Sequence, residues 1–262
     1  MTYAEVEPKA WPVLWLLVVI SVFGFYFVAI IGKRWRDRRA LAAKFLFLAF
    51  SCVLIAILLF LAGLIEMFVT GYKMEVYRFS LGAAYAAVCV ANVFLILFGA
   101  EIFDIPSRYL WKYILIQLVI AVAVILPDNY YGVPDSDPRI WGPTIRIYTS
   151  IAVVVFSIII YSRILSQALY TARRTSESVA RGAFRLIAGS IVCLILFFLF
   201  ETLDTLEITL YPTQGGYTIF NYLGFVSALV FMVLASLSFI MPDWLRRRLS
   251  GSAVERVEGT AK

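Results

Sequence analysis

Apolar runs of about 20 residues recur along the whole chain, and they constrain its fold more than any other feature. A helical run of this length crosses a hydrocarbon core about 30 Å thick, at about 1.5 Å per residue. Of the 262 residues, 62% are hydrophobic and 15% are charged. An ordinary globular domain has an apolar share of about 45–50%. The sequence therefore predicts an integral membrane protein and excludes a soluble enzyme.

The apolar runs predict an all-α fold, a bundle of seven transmembrane helices. The predicted spans lie at about 11–31, 42–68, 80–101, 110–127, 146–168, 183–206 and 218–241. We predict one membrane domain over residues 1–249. Small and polar residues of mixed charge follow it, which is typical of disorder, so residues 250–262 are predicted to form a disordered tail.

The distribution of basic residues predicts the orientation of the bundle. With the N-terminus outside, 18 of the 23 Lys and Arg residues fall on the cytoplasmic side, as the positive-inside rule demands. The C-terminus is then cytoplasmic, and we expect a multi-pass protein of the cell membrane. The net charge of +6 is explained by this asymmetry and indicates no nucleic-acid partner. The five basic residues left outside are Lys9, Lys73, Arg78, Arg139 and Arg146.

The absence of histidine excludes several kinds of chemistry. Ser-His and Cys-His nucleophile pairs, imidazole metal sites and bis-His haem ligation all require that side chain. Cys52, Cys89 and Cys193 lie far apart within apolar runs, so they predict neither a disulfide framework nor a zinc site. Every lysine lies in a loop or at a span end, which excludes a buried retinal Schiff base. We predict no catalytic residue, no metal and no cofactor.

Two acidic residues in the sixth span are the strongest candidates for a functional site. Glu201 lies about 24 Å along the helix axis from Arg185, still within the hydrocarbon, and Asp204 shares its face. The same stripe continues through Cys193 and Ser190, and small residues favour a face that meets other helices. We therefore expect both carboxylates to point into the bundle.

These acids and the polar residues at similar depth predict an outward-facing polar pocket for a ligand or a cation. The alternative is a structural ion pair between one of the acids and a basic residue that begins the fifth span, since buried charges are usually paired. That basic residue is Arg146. The predicted ligand-binding residues are Glu201, Asp204, Asn221, Arg146, Tyr148 and Glu66, with Tyr217 close to them.

A second polar face lies in the third span. Gly82, Tyr85, Cys89 and Asn92 share one side of this helix, and Asn92 lies about 18 Å inside the span, near mid-membrane. A hydrogen bond from Asn92 to another helix explains this face. A conduction path would instead need a continuous polar line, to which Gln117 in the fourth span is the next contributor.

The last third of the chain, from Arg163 to Leu249, has a recognisable order of features. These are a basic connector with Ala172-Arg173-Arg174 and Arg181-Gly182-Ala183-Phe184-Arg185, an apolar helix with Asp204 late in it, an outer loop with Pro212 and Gly215-Gly216, and an apolar helix that runs into Pro242. This stretch resembles the second half of the seven-span sensor region at the N-terminus of some archaeal and bacterial histidine kinases. The resemblance implies a sensory module that signals through protein partners. Unlike those kinases, the chain has no histidine to accept a phosphoryl group.

We therefore expect a non-enzymatic, sensor-like or partner-scaffolding membrane subunit, with a protein partner in the membrane or the cytoplasm. The alternative is a small cation- or proton-coupled transporter or channel that uses Glu201 and Asp204. An enzyme is the weakest class, because Glu101 and Asp104 with Arg108 are the only catalytic group that can be nominated. Small residues in the third span permit close contact within one chain or between two copies, so a homo-oligomer stays open.

Overall fold

The computed structural model describes residues 8–103, 107–126, 146–210 and 217–249, and these residues contain helices but no β-strand. The predicted all-α class is confirmed for this part of the chain. The predicted tail over residues 250–262 lies outside the described residues. A 3-10 turn at Pro8–Ala10 precedes seven long helices: α1 (Trp11–Arg38), α2 (Leu41–Thr70), α3 (Glu75–Phe103), α4 (Ser107–Ile125), α5 (Arg146–Arg174), α6 (Ser178–Leu210) and α7 (Ile219–Ile240). A short helix over residues 243–249 follows them.

Six of these helices, all except α4, are long and apolar enough to cross a membrane. The apolar part of α4, Leu110–Ile125, is shorter. Large apolar side chains cover the outside of the bundle, as Trp15 and Val22 illustrate, which are 63% and 64% exposed. A surface of this kind is stable against acyl chains and not against water. The chain is therefore a multi-pass membrane protein.

Several helices extend beyond the predicted spans, because hydropathy marks only the part that lies in hydrocarbon. Helix α6 begins at Ser178, about one turn before the predicted span, and it carries Arg181 in that extension. Arginine is a good helix former, so the helix continues into the interface. Helix α7 ends where Met241 adopts a left-handed conformation with φ of 45° and donates its N–H to the Leu237 carbonyl.

Helices α1 and α7 are neighbours that run in the same direction. At their beginnings, the Tyr222 hydroxyl donates to the Lys9 carbonyl oxygen over 2.6 Å. At their ends, the Arg34 guanidinium donates to the carbonyl oxygens of Phe239 and Ile240. The guanidinium thereby satisfies carbonyl groups that the end of a helix leaves without intrahelical partners.

Helix α4 packs antiparallel to α3, so that the end of α4 lies beside the beginning of α3. Gly82, near the beginning of α3, lies so close to the end of α4 that an added Cβ would be 3.0 Å from the Val124 carbonyl oxygen. On the outer side of α4, Val119 and Val122 are 60% and 66% exposed, whereas Gln117 is buried. The helix has 19 residues, which is about 28 Å at 1.5 Å per residue. It thus has one apolar outer face and one inner face, like the longer helices.

The helices pack in a ring. Each contacts its neighbours in sequence, α1 closes the ring against α7, and α3 also contacts α5. Buried apolar clusters hold the two ends of α1 against α2 and α7: Leu17 and Phe225 belong to one, and Phe27 and Phe231 belong to the other. The space enclosed by this ring contains the candidate site.

Candidate functional site

An apolar cavity of about 150 Å³ lies inside the ring of helices. Residues of α1, α2, α3, α5, α6 and α7 contribute to its wall. The polar side chains among the described lining residues are those of Glu201, Tyr85 and Tyr161. The cavity is therefore an apolar chamber with one carboxyl group. Much of its wall consists of six phenylalanines: Phe50, Phe60, Phe197, Phe198, Phe225 and Phe231.

The carboxyl group of Glu201 lies between α6 and α7. The amide nitrogen Nδ2 of Asn221 is 3.3 Å from Oε1 and 3.3 Å from Oε2 of Glu201. Gly224 provides the space, because a Cβ added there would be 2.7 Å from Oε1. In the described part of the chain, no Lys or Arg nitrogen forms an ion pair with this carboxyl group. It therefore has an amide donor but no cationic partner there.

Asp204 lies one turn further along α6 and serves the beginning of α7. Its Oδ1 accepts a hydrogen bond of 2.9 Å from the Thr218 backbone N–H. Asp204 is buried, as is Tyr217, which has φ of 62° just before Thr218. Asp204 is not among the described residues that line the cavity. Of the predicted ligand-binding residues, the structure thus brings Glu201, Asp204 and Asn221 together where α6 meets α7.

The other three predicted ligand-binding residues have different positions. The Glu66 carboxylate accepts hydrogen bonds from the backbone N–H groups of Val76 and Tyr77, over 3.0 and 2.8 Å. It therefore caps the beginning of α3, where backbone donors lack intrahelical partners. Tyr148 is 72% exposed on the outside of α5. The side chain of Arg146 lies outside the described residues, so an ion pair with it stays a prediction.

A buried polar network joins α3, α4 and α5 near the middle of each helix. Asn92 Nδ2 donates to Ser157 Oγ over 2.8 Å and to Gln117 Oε1 over 3.4 Å. The Tyr161 hydroxyl donates to Asn92 Oδ1 over 2.6 Å. The predicted hydrogen bond from Asn92 to another helix is confirmed. Sequence reasoning missed Ser157 and Tyr161, although their i, i+4 spacing places both on one face of α5.

The network forms one boundary of the cavity, because Tyr161 belongs to both. Beyond it, α5 continues with Ile164 and Ala168, which are fully buried in the apolar core. The described residues therefore provide no continuous polar line from Glu201 through the bundle. They also contain no group of three or more His, Cys, Asp or Glu residues that could hold a metal ion.

No protein-family model matches the chain, and comparisons with curated proteins and with solved structures give no match either. The function has to be inferred from the cavity, the carboxyl group and the network.

Proposed function

We propose that this chain is a seven-span, non-enzymatic sensor subunit of the cell membrane, in which occupancy of the central cavity is the input. The observation that carries the proposal is that one chamber between the helices touches six of them. A molecule in such a chamber contacts all six helices, so it stabilises whichever helix arrangement fits it better. The resemblance to the sensor region of histidine kinases supports an output through a protein partner.

The direction of the helices supports the seventh span. Helices α1 and α7 are parallel, and short connections link α1 to α2, α2 to α3 and α5 to α6. An even number of crossings would make α1 and α7 antiparallel. A further crossing between α3 and α5 accounts for this direction, and α4 is the helix that lies between them in the chain. The excess of basic residues supports an N-terminus outside and a C-terminus in the cytoplasm.

Cysteine labelling tests this topology. We expect Lys73→Cys, between α2 and α3, to react with a membrane-impermeant maleimide in intact cells. Ser176→Cys, between α5 and α6, should react only after permeabilisation. The protein without an added cysteine is the control, because Cys52, Cys89 and Cys193 lie within the helices. Labelling of both positions from outside would show that α4 does not cross the membrane.

A small cation- or proton-coupled transporter is the second candidate function, and one observation favours it. Glu201 is a carboxyl group inside the bundle that forms no ion pair with a described Lys or Arg residue. Ionisable groups within membrane helices are common in proton and ion pathways. The apolar wall and the self-contained network beyond it favour the sensor instead, because a transported ion needs polar contacts along its whole path.

A flux measurement separates the two functions. Purified protein in liposomes should conduct protons and cations no faster than empty liposomes, at either membrane polarity. The same result is expected for the double variant Glu201→Gln/Asp204→Asn. A flux of the wild-type protein that the double variant abolishes would replace the sensor by a transporter. Circular dichroism of each preparation is the control for folding.

A further inference from the structure

The site at Glu201 has more hydrogen-bond acceptors than donors. The two carboxylate oxygens share one donor group, the amide nitrogen of Asn221. Asn221 is itself buried, and its Oδ1 has no hydrogen-bond partner among the described residues. Three oxygen atoms therefore lie together around a single donor group. A ligand that completes this site has to bring N–H or O–H donors, and a positive charge would suit the carboxylate best.

The wall next to this acceptor group is aromatic. Phe197 lies one turn before Glu201 on α6, and Phe225 lies one turn after Asn221 on α7. Their ring centroids are 6.0 Å apart in an edge-to-face arrangement, and Phe60 stacks on Phe225 at 5.8 Å. Aromatic faces attract cations and also cover the apolar part of a ligand. The same wall can therefore accept both the charged end and the body of one molecule.

The size of the cavity limits that body. An apolar cavity of about 150 Å³ holds a single benzene ring, and the cavity between these helices has about this volume. One six-membered ring with a short side chain that reaches the carboxylate matches this space.

From these features we infer that the central cavity binds a small organic ammonium ion, with one aromatic or alkyl body in the phenylalanine chamber and its N–H groups on Glu201 and Asn221. This inference rests on the proposed function, because it names the class of molecule that occupies the sensor's input site. The ammonium supplies the donors and the charge that the acceptor group lacks. A neutral hydrocarbon would contact only the phenylalanine wall, and a bare metal ion would contact only the oxygen atoms of Glu201 and Asn221.

Binding of tritiated 2-phenylethylamine to the protein in nanodiscs tests the inference. Propylbenzene has nearly the same shape without the charge, and methylammonium has the charge without the body. We expect each of these two competitors to bind at least about 10-fold more weakly than unlabelled 2-phenylethylamine. Propylbenzene loses a charge-assisted hydrogen bond and methylammonium loses buried apolar area, and either loss lowers the affinity by about 10-fold. Specific binding is the part that an excess of unlabelled amine displaces.

Three variants locate the site. Glu201→Gln keeps the shape of the side chain and should weaken amine binding about 10- to 100-fold, while propylbenzene competes as before. Ala84→Phe places a ring into the cavity and should abolish binding of both compounds. Glu207→Gln is the matched control, because this acid lies on the same helix but does not line the cavity. It should leave the affinity unchanged.

Several outcomes would overturn the inference. They are the absence of specific amine binding to folded wild-type protein, propylbenzene as strong a competitor as the amine, and equal affinities of wild type and Glu201→Gln. The flux measurement distinguishes a sensor from a transporter, and its result does not depend on which ligand binds. An amine that binds at Glu201 and is also carried across the membrane would refute the sensor and leave the ligand class intact.

Discussion

Two polar regions lie inside this bundle, and their hydrogen bonding differs. In the Asn92 network, both polar atoms of the asparagine have partners on neighbouring helices. At Glu201, the carboxylate and the adjacent Asn221 share one amide donor group, and Asn221 Oδ1 has no partner among the described residues. Polar groups in lipid are costly unless they are paired. Among the described residues, the unpartnered atom of the first region is a donor, Gln117 Nε2, and that of the second is an acceptor, Asn221 Oδ1. The second region therefore lacks donors that a bound molecule can supply, whereas the first joins three helices through Asn92.

Asn92→Leu should give the largest effect on stability. The substitution leaves Ser157, Gln117 and Tyr161 without their shared partner in the interior of the bundle. Three interhelical hydrogen bonds of about 0.6 kcal/mol each make a loss of about 2 kcal/mol. The free energy of unfolding in mixed micelles measures it. Ser227→Ala is the control, because this exposed hydroxyl bonds only to the Leu223 carbonyl of its own helix. Equal losses for the two variants would show that the network does not hold the helices.

Gly224→Ala should weaken amine binding at the second region. The new Cβ would be 2.7 Å from Glu201 Oε1, so the carboxylate has to leave its present position beside Asn221 or the helices have to separate. We expect an affinity for 2-phenylethylamine about 10-fold lower, as for loss of a charge-assisted hydrogen bond. In Gly189→Ala the nearest atom, Leu234 Cδ1, is 3.6 Å away, an ordinary contact, so binding should not change. An unchanged affinity in Gly224→Ala would show that the carboxylate position does not matter.

Glu66→Ala tests an acidic residue that the sequence grouped with Glu201 but that the structure places at a helix end. It removes both acceptors from the Val76 and Tyr77 N–H groups, and we expect a loss of about 1 kcal/mol, the typical value of a helix cap. Amine affinity should be unchanged. A lower amine affinity with an unchanged free energy of unfolding would show that Glu66 belongs to the binding site.

Tyr148→Phe should have the smallest effect. The side chain is 72% exposed on the outside of α5, away from both polar regions. Surface substitutions of this kind change stability by about 0.5 kcal/mol or less. We expect neither the free energy of unfolding nor the amine affinity to change. A clear loss of amine affinity would mean that the site extends to the outer surface of α5.

Hydropathy predicted the helices because each apolar run is long enough to act as a signal by itself. Helical spacing grouped Asn92 with Gly82 and Cys89 on one face, and the structure buries all three. The cavity was beyond sequence reasoning, because its wall combines residues such as Leu17, Phe60 and Phe197 from helices distant in sequence. The phenylalanines do not differ in the sequence from those that face lipid.

Glu66 and Asp204 share a structural feature that the sequence did not reveal. Glu66 lies about one turn before the end of α2, Asp204 lies six residues before the end of α6, and both accept hydrogen bonds from backbone N–H groups at the beginning of the next helix. Depth along a helix axis places such acids near a pocket, but it does not reveal which backbone donors the following helix presents. Glu201 lies about one turn further inside than Asp204, and its hydrogen-bond partner is the side chain of Asn221 and not a backbone N–H group.

Glu201 is expected to serve a ligand, whereas the Asn92 network holds the helices together. The free energy of unfolding of Glu201→Gln in mixed micelles without an amine, measured beside Asn92→Leu, separates these two roles. Glutamine can still accept a hydrogen bond from Asn221, so we predict a change of about 0.5 kcal/mol or less, against about 2 kcal/mol for Asn92→Leu. A loss in Glu201→Gln as large as that in Asn92→Leu would show that Glu201 holds the helices together and is not reserved for a ligand.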